Sequence, residues 1–199
     1  DEAVTLLHDH GYQAVAITPD TCHLDPESTT DADLVLIAQR LRDLGMKPVM
    51  ETGARFLLDS NTKHEPTLMT RDARRRDQRV AFYSRVASMG KLLGADVVSF
   101  WAGIDRCPGP DSEAWLLEGV AMACDAIRGV GLVPSLEPEP GMAVETFADY
   151  ERLRITLGAS APKLTLDIGH LYAVWEGDPS EVIARAAPHL AQVHLEDHC

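Results

Sequence analysis

The stretch KLTLDIGH, at residues 163–170, joins a predicted strand to a polar turn. We predict a strand over Lys163–Asp167, and Gly169 then permits a tight turn that folds His170 back over the same strand end. Burying the Asp167 carboxylate at the end of an apolar strand costs on the order of several kcal/mol unless a cation or hydrogen bonds compensate for it. Ligands of βα folds bind at the carboxyl ends of the strands, so we expect Asp167 and His170 to mark a functional site.

The same pattern recurs along the chain. Short β-branched runs alternate with amphipathic stretches of helical period, which is typical of α/β proteins with a parallel sheet. Six strands are predicted, at Ala14–Thr18, Pro48–Glu51, Asp96–Trp101, Leu132–Glu137, Lys163–Asp167 and Gln192–Glu196.

The strand count separates two α/β architectures. A (β/α)8 TIM barrel takes about 31 residues per βα unit, so this chain supplies about six and a half units. The chain starts on a predicted helix, Glu2–His10, and stops at a strand end, Glu196–Cys199, as expected of a truncated barrel without its first strand and eighth βα unit. An open doubly wound sheet is disfavoured because Gly129-x-Gly131 precedes a strand instead of following one. We expect a single, incomplete TIM-barrel domain over residues 1–199.

Composition and charge narrow the class further. The chain of 199 residues is 45% hydrophobic and 25% charged, as in ordinary soluble globular proteins, and its apolar runs are too short to span a membrane. The net charge of −13 disfavours nucleic acid as a partner and favours a small neutral or weakly charged substrate. The cysteines form no C-x-x-C pair, which favours reduced thiols and a cytoplasmic location; they are Cys22, Cys107, Cys124 and Cys199.

Three successive strands end in acidic or imidazole side chains. Glu137 and Asp167 end two neighbouring predicted strands, and His194 lies near the end of the last. Two carboxylates and one imidazole at equivalent heights suit Mn²⁺, Mg²⁺, Co²⁺ or Zn²⁺. We therefore predict that Glu137, Asp167 and His194 bind a divalent metal ion, and that His170 contacts the ion or a substrate bound to it.

These motifs resemble the xylose isomerase-like TIM barrels, the sugar phosphate isomerase/epimerase superfamily that also includes endonuclease IV. The resemblance rests on Glu137, the Leu-Asp-x-Gly-His run at 166–170 and the His-Leu-Glu-Asp run at 194–197. The Glu-Pro-Glu-Pro run at 137–140 is similar to the Glu-Pro-Lys-Pro of xylose isomerases, with Glu139 in place of lysine. The resemblance implies metal binding by Glu137, Asp167 and His194, completed by a glutamate on the eighth strand that this chain does not contain.

The activity implied by the resemblance is isomerisation or epimerisation of a sugar, a polyol or a sugar phosphate. A divalent ion that holds two vicinal substrate oxygens would stabilise the enediolate formed when the intervening C–H proton is removed. Glu137 would be the catalytic base as well as a metal ligand. Return of the proton to the opposite face gives epimerisation, and return to the neighbouring carbon gives aldose–ketose isomerisation; both stay open.

The predicted substrate contacts lie around the same strand ends. The polar segment 52–70 is long for a compact α/β domain, which favours a functional role for it. Trp101, at the end of the third predicted strand, is either an apolar wall for a sugar ring or a core residue. The residues predicted to bind substrate are Arg55, His64, Trp101, Glu139, His170 and Glu196.

A cluster of arginines follows that segment. Asp72 and Asp77 interleave the arginines at helical spacing, so we predict a solvated, ion-paired helix face in preference to a nucleic-acid site. The arginines are Arg71, Arg74, Arg75, Arg76 and Arg79.

Two other functions compete with the isomerase. A zinc phosphodiesterase of the endonuclease IV type would need further histidines from the second and third barrel strands, and only His23 is near such a position. Three metal ions per chain would favour that enzyme, and one would favour the isomerase. Alternatively, the chain is a catalytically incomplete barrel fragment, whose exposed sheet edges would favour pairing with another chain and hence a homo-oligomer.

Overall fold

Six parallel strands form one curved sheet in the computed structural model, which describes residues 2–195. The strands are β1 (Ala14–Ile17), β2 (Lys47–Glu51), β3 (Val97–Phe100), β4 (Val133–Leu136), β5 (Lys163–Asp167) and β6 (Leu190–His194). The helices are α1 (Glu2–Asp9), α2 (Asp31–Asp43), α3 (Ala73–Leu93), α4 (Pro110–Gly129), α5 (Phe147–Leu157), α6 (Ile168–Ala173) and α7 (Pro179–Ala186), with 3-10 turns at Gly158–Ser160 and Ala187–His189.

The strand order is that of a barrel. Each strand pairs in parallel with the strand that follows it in the chain, from β1 to β6. A doubly wound sheet would reverse its order at a switch point, and this sheet does not. The predicted α/β architecture, a truncated (β/α)8 TIM barrel, is confirmed in the form of a half-barrel.

The predicted strands agree with the structure to within two residues. β5 has the predicted bounds, whereas β6 begins at Leu190, two residues before the predicted start. Glu196, the predicted end of the last strand, lies outside the described residues.

Local capping interactions fix the helix ends. The Thr146 hydroxyl accepts a hydrogen bond from Asp149 N at 3.1 Å, and the Asp149 carboxylate accepts one from Thr146 N at 2.9 Å, which completes a capping box on α5. Gly94 ends α3 with a φ of 84°, a left-handed conformation that glycine adopts without strain. Such sharp ends allow each helix to turn back directly into the next strand.

The two faces of the sheet differ in polarity. The outer face packs against the helices through fully buried apolar side chains, including those of Met50, Val98, Leu136 and Leu164. The inner face carries buried hydroxyls: Thr165 Oγ1 lies 2.7 Å from Ser135 Oγ and donates to Ser99 Oγ at 3.0 Å. Side chains two residues apart on a strand share a face, so this hydroxyl layer lies directly below Glu137 and Asp167.

Within residues 2–195, no helix has the length and apolar character needed to cross a bilayer. Cys22 and Cys107 are exposed free thiols, and Cys124 is a buried one. Burial raises the pKa of Cys124 to about 12, so this thiol is unreactive at neutral pH.

Candidate metal centre and substrate site

Three predicted metal ligands meet where β4, β5 and β6 end. Glu137 follows β4 and is 7% exposed, and Asp167 ends β5 and is 3% exposed. His194 ends β6, with its Nδ1 3.0 Å from Glu137 Oε1 and 3.8 Å from Asp167 Oδ2. The structure thus brings the two acids and the His194 imidazole together, but the ligand atoms that lie within 4.8 Å of one another are those of Glu137, Asp167 and His170.

His170 also lies close to the same two carboxylates, with its Nδ1 3.9 Å from Glu137 Oε1. Its Nδ1 donates a hydrogen bond to Pro138 O at 3.0 Å, because a carbonyl oxygen can only accept. Its Nε2 therefore faces the site, 3.9 Å from Asp167 Oδ2 and 4.0 Å from Glu139 Oε2. Glu137, Asp167 and His170 each offer a ligand atom, and these atoms lie within 4.8 Å of one another.

The two oxygens of Asp167 have separate tasks. Oδ1 accepts hydrogen bonds from Gly169 N at 2.7 Å and His170 N at 3.1 Å, which caps the start of α6. Oδ2 faces the two imidazoles at 3.8 and 3.9 Å. Asp167 is therefore the N-cap of α6, and the tight glycine turn expected from the Asp-x-Gly-His spacing is replaced by the first turn of this helix, in which Gly169 has no left-handed φ. The cap leaves Oδ2 directed toward the cluster.

The donor set fits a divalent cation. Two carboxylates and an imidazole are the ligands preferred by Mn²⁺, Co²⁺ and Zn²⁺, and no thiolate lies among the grouped ligand atoms of the described chain. The ligand oxygens of Glu137 and Asp167 lie within 4.8 Å of each other. Two buried carboxylates this close repel each other and lose hydration, and a cation between them offsets both costs. Glu137 and Asp167, with one or both imidazoles, are the residues that would hold it.

Electrostatics at the cluster follow from its excess of acids. Hydrogen bonds to Glu137 and Glu51 raise the pKa of His194 to about 10, so its imidazole is positively charged in the metal-free protein. Burial raises the pKa of Glu139, and repulsion from Glu137 and Asp167 adds to this against the opposing charge of His170. The cluster therefore retains protons when no cation is present.

Sequence reasoning assigned no role to Glu51, at the end of β2. Its Oε1 lies 3.3 Å from His194 Nε2 and accepts a hydrogen bond from Gln192 Nε2 at 2.7 Å. The signal was present, since Glu51 ends a predicted strand as Glu137 and Asp167 do. The distance between β2 and β6 along the chain concealed the contact.

His64, in the segment between β2 and α3, packs against Trp101, which follows β3. The His64 ring contacts the Trp101 ring edge-on, with the centroids 4.8 Å apart, and Trp101 is only 5% exposed. Burial lowers the pKa of His64 to about 4, so its imidazole is neutral at physiological pH. Trp101 is therefore buried as a core residue would be, although it lies directly after β3. Its contact with substrate stays a prediction.

Arg79 corrects the interpretation of the arginine cluster. The prediction of a solvated face is wrong for this residue, which is 1% exposed. Its Nε donates to Pro66 O at 2.6 Å and its Nη2 to His64 O at 3.0 Å, so carbonyl groups replace the water around its charge. Arg75 forms an ion pair at 2.6 Å, but its partner is Asp59 in the segment before the helix and not the predicted Asp72 or Asp77.

Arg55 lies on the same segment, residues 52–72, which we call the rim. Its side chain is exposed, and its carbonyl accepts a hydrogen bond from His64 N at 2.7 Å, which closes the loop between them. A cavity of about 440 Å³ lies beyond the ends of β1 and β2; its lining residues include Thr18, Asp20, His23, Gly53, Arg55 and Phe56. Glu196, the last predicted substrate residue, lies outside the described residues.

Solved structures with this fold include three whose names bear on function. A D-psicose 3-epimerase determined in the presence of D-fructose matches with a TM-score of 0.80 and 19% identity, over 98% of this chain and 67% of that one. An L-ribulose 3-epimerase matches with a TM-score of 0.78 and 19% identity, over 97% and 63%. An AP endonuclease, family 2, from Brucella melitensis matches with a TM-score of 0.76 and 15% identity, over 98% and 72%.

At these identities the likenesses show the fold, and the chain spans 63–67% of the length of the two epimerases. Among curated proteins, no significant sequence match is found. The family model described as xylose isomerase-like TIM barrel matches residues 4–199. This match covers nearly the whole sequence and includes all the strand ends described above, and the chain therefore belongs to the xylose isomerase-like TIM barrel family.

Proposed function

We propose that this protein is a divalent-metal-dependent isomerase or epimerase of a sugar, polyol or sugar phosphate. The observation that carries the proposal is the convergence of Glu137 and Asp167 with His170 and His194 at one end of the sheet. The names of the two epimerases with this fold support the same class of substrate.

Metal binding is assigned to Glu137, Asp167 and His194. When bound, a divalent ion acts as a Lewis acid on two vicinal substrate oxygens and lowers the energy of the charge that develops between them. The short contact of His194 Nδ1 with Glu137 Oε1, at 3.0 Å, holds the two side chains in a fixed relation before any ligand enters.

Glu137 is the proposed base. Its carboxylate is nearly buried and is directed into the cluster by its place after β4, where Glu137 N donates to Phe100 O at 2.9 Å. A carboxylate so held can take the proton from the carbon next to the substrate carbonyl. The product is an epimer when the proton returns to the opposite face, and an aldose–ketose isomer when it returns to the neighbouring carbon.

Glu139 and His170 are proposed to bind substrate oxygens. Burial raises the pKa of Glu139, and its carboxyl can form hydrogen bonds with substrate hydroxyls. His170 Nε2, 4.0 Å from Glu139 Oε2, is the second polar atom at this position. Arg55 and His64, on the rim above β2, are proposed to contact the remainder of the sugar, with Trp101 beneath them.

The test is solvent deuterium exchange on a panel of ketoses and aldoses, with the full-length protein and Mn²⁺ in D₂O. We expect deuterium to enter the carbon next to the carbonyl, and Glu137→Gln to slow this exchange by about 10²- to 10⁴-fold. Glu118→Gln, at an exposed position on α4, is the matched control and should exchange at the wild-type rate. Exchange that is unaffected by Glu137→Gln, or absent for every sugar, would refute the proposal.

Metal stoichiometry tests the competing activity. We expect one bound ion per chain, measured by elemental analysis after equilibrium dialysis. The described residues at the ends of β1 and β2 are Ile17 and Glu51, which do not supply the histidines that a multi-metal phosphodiesterase would need. Three ions per chain would instead favour the zinc phosphodiesterase.

A further inference from the structure

A hydrogen-bonded group of side chains connects β2 with β6 at the level of the acid and imidazole cluster. Gln192 and His194 lie two residues apart on β6 and so share its inner face. Glu51 reaches them from the end of β2, which is separated from β6 by three strands in the sheet. Its Oε1 accepts from Gln192 Nε2 at 2.7 Å and lies 3.3 Å from His194 Nε2.

The two nitrogens of His194 face different carboxylates. Nδ1 lies 3.0 Å from Glu137 Oε1 and 3.8 Å from Asp167 Oδ2, on the side of the metal cluster. Nε2 lies 3.3 Å from Glu51 Oε1 and 2.5 Å from Nε2 of Gln192.

We infer that Glu51 is a positioning residue for the metal centre, which orients His194 by accepting the hydrogen bond of its Nε2–H. The inference rests on the proposed function, because it concerns the same metal site. A metal-binding imidazole is neutral, so a ring that binds through Nδ1 keeps its single proton on Nε2. A carboxylate on that proton fixes the tautomer and the ring orientation and makes the other nitrogen a stronger ligand.

The surroundings of Glu51 suit this role better than that of a ligand. Its side chain is 15% exposed, so its hydrogen bonds form in an environment of reduced dielectric. Gln192 holds the carboxylate from the side, which limits its rotation.

The experiment compares Mn²⁺ binding by calorimetry in the wild-type full-length protein, Glu51→Gln and the exposed control Glu118→Gln. Outer-shell partners of this kind typically contribute about 10- to 100-fold to metal affinity. We expect Glu51→Gln to weaken Mn²⁺ binding by that factor while it keeps a stoichiometry of one. Glu118→Gln should bind as the wild type does. The melting temperature of each metal-free variant checks that it folds.

A spectroscopic measurement separates positioning from a general structural effect. In the Co²⁺-loaded protein, proton NMR should show an exchangeable, hyperfine-shifted resonance from the Nε2–H of His194. We expect faster exchange of this proton with solvent in Glu51→Gln than in Glu118→Gln. Gln192→Met provides a second variant, which removes the support of Glu51 and should weaken Mn²⁺ binding less than Glu51→Gln does.

The outcomes distinguish this inference from the proposed function. Wild-type affinity and an unchanged Nε2–H signal in Glu51→Gln would overturn the role of Glu51 and leave the metal site intact. A larger loss in Gln192→Met than in Glu51→Gln would assign the positioning to Gln192 and overturn it as well. Failure of the wild type to bind Mn²⁺ or Co²⁺ would overturn the metal site itself, and with it both proposals.

Discussion

The acid and imidazole cluster and the segment 52–72 lie at the same end of the sheet but are held by different means. Glu137, Asp167 and His194 are attached directly to strand ends, so the parallel sheet places them side by side. The segment 52–72 leaves β2 and returns to α3 without regular structure, and its position depends on distant side chains. The proposed metal-binding residues therefore lie in the part that the parallel sheet fixes. The proposed substrate contacts Arg55 and His64 lie in the part that side-chain packing fixes.

Arg79 shows how the second region is held. Its guanidinium donates to the carbonyls of His64 and Pro66 and lies 5.1 Å from the Trp101 ring. In the cluster, by contrast, the hydrogen bonds of Asp167 stay within its own turn. The two regions should therefore fail separately, and substitutions in one should leave the property of the other unchanged.

The largest effect is expected from Asp167→Asn on metal affinity. An asparagine keeps the oxygen that caps α6 but replaces the oxygen that faces the imidazoles with an amide nitrogen, which cannot bind a cation. We expect Mn²⁺ affinity to fall by more than about 100-fold, beyond the range typical of outer-shell partners. Calorimetric titration measures this loss, and Asp125→Asn, at an exposed position on α4, is the control.

The same variant tests the independence of the two regions. Because the cap is retained and one buried negative charge is removed, the free energy of unfolding of the metal-free protein should not decrease. A loss of stability together with the loss of metal would mean that the cluster also supports the fold.

The next effect in size is expected from Arg79→Met on stability. The methionine fills much of the space but leaves two buried carbonyls without donors, each of which costs about 1–3 kcal/mol. Relief of the desolvation of the guanidinium, which lowers the pKa of Arg79, offsets part of this cost. We expect a loss of about 2–4 kcal/mol in the free energy of unfolding, measured by urea denaturation.

The control for Arg79→Met is Arg74→Met, on the same helix but exposed, which should change stability by less than about 0.5 kcal/mol. Mn²⁺ affinity should stay within about threefold of the wild type, because the mutation does not touch the strand ends. A loss below 1 kcal/mol, or a large fall in Mn²⁺ affinity, would contradict the separation of the two regions.

Prediction from sequence worked best where the backbone decides the position. The six strands could be found from their apolar patterns, and parallel strands bring their carboxyl ends to one edge. For that reason the proximity of Glu137, Asp167 and His194 followed from strand assignment alone. The hydrogen bonds of Asp167 are local as well, joining residues two and three positions apart, but they cap a helix and do not form the glycine turn that was predicted.

Contacts that depend on curvature or on irregular backbone were not predictable in this way. Glu51 meets His194 only because the sheet curls, and its distance along the chain gives no local sign of the contact. Arg79 has the same helical spacing as its solvated neighbours, and its burial depends on where the segment 52–72 lies. His64 has a φ of 64°, which no pattern in the surrounding sequence indicates.

The smallest effect, that of His64→Asn, concerns the pH dependence of stability. The pKa of His64 is about 4 in the folded protein, below its ordinary value of 6.5. Between these values the unfolded chain binds a proton that the folded chain does not, so His64 lowers stability as the pH falls from 6.5 toward 4. Asparagine tolerates a positive φ and does not titrate. We expect the wild type to lose about 1 kcal/mol more than the variant between pH 7 and pH 4.5, after allowance for partial exposure. Urea denaturation at both pH values measures the difference, and equal losses would mean that the rim leaves His64 in water.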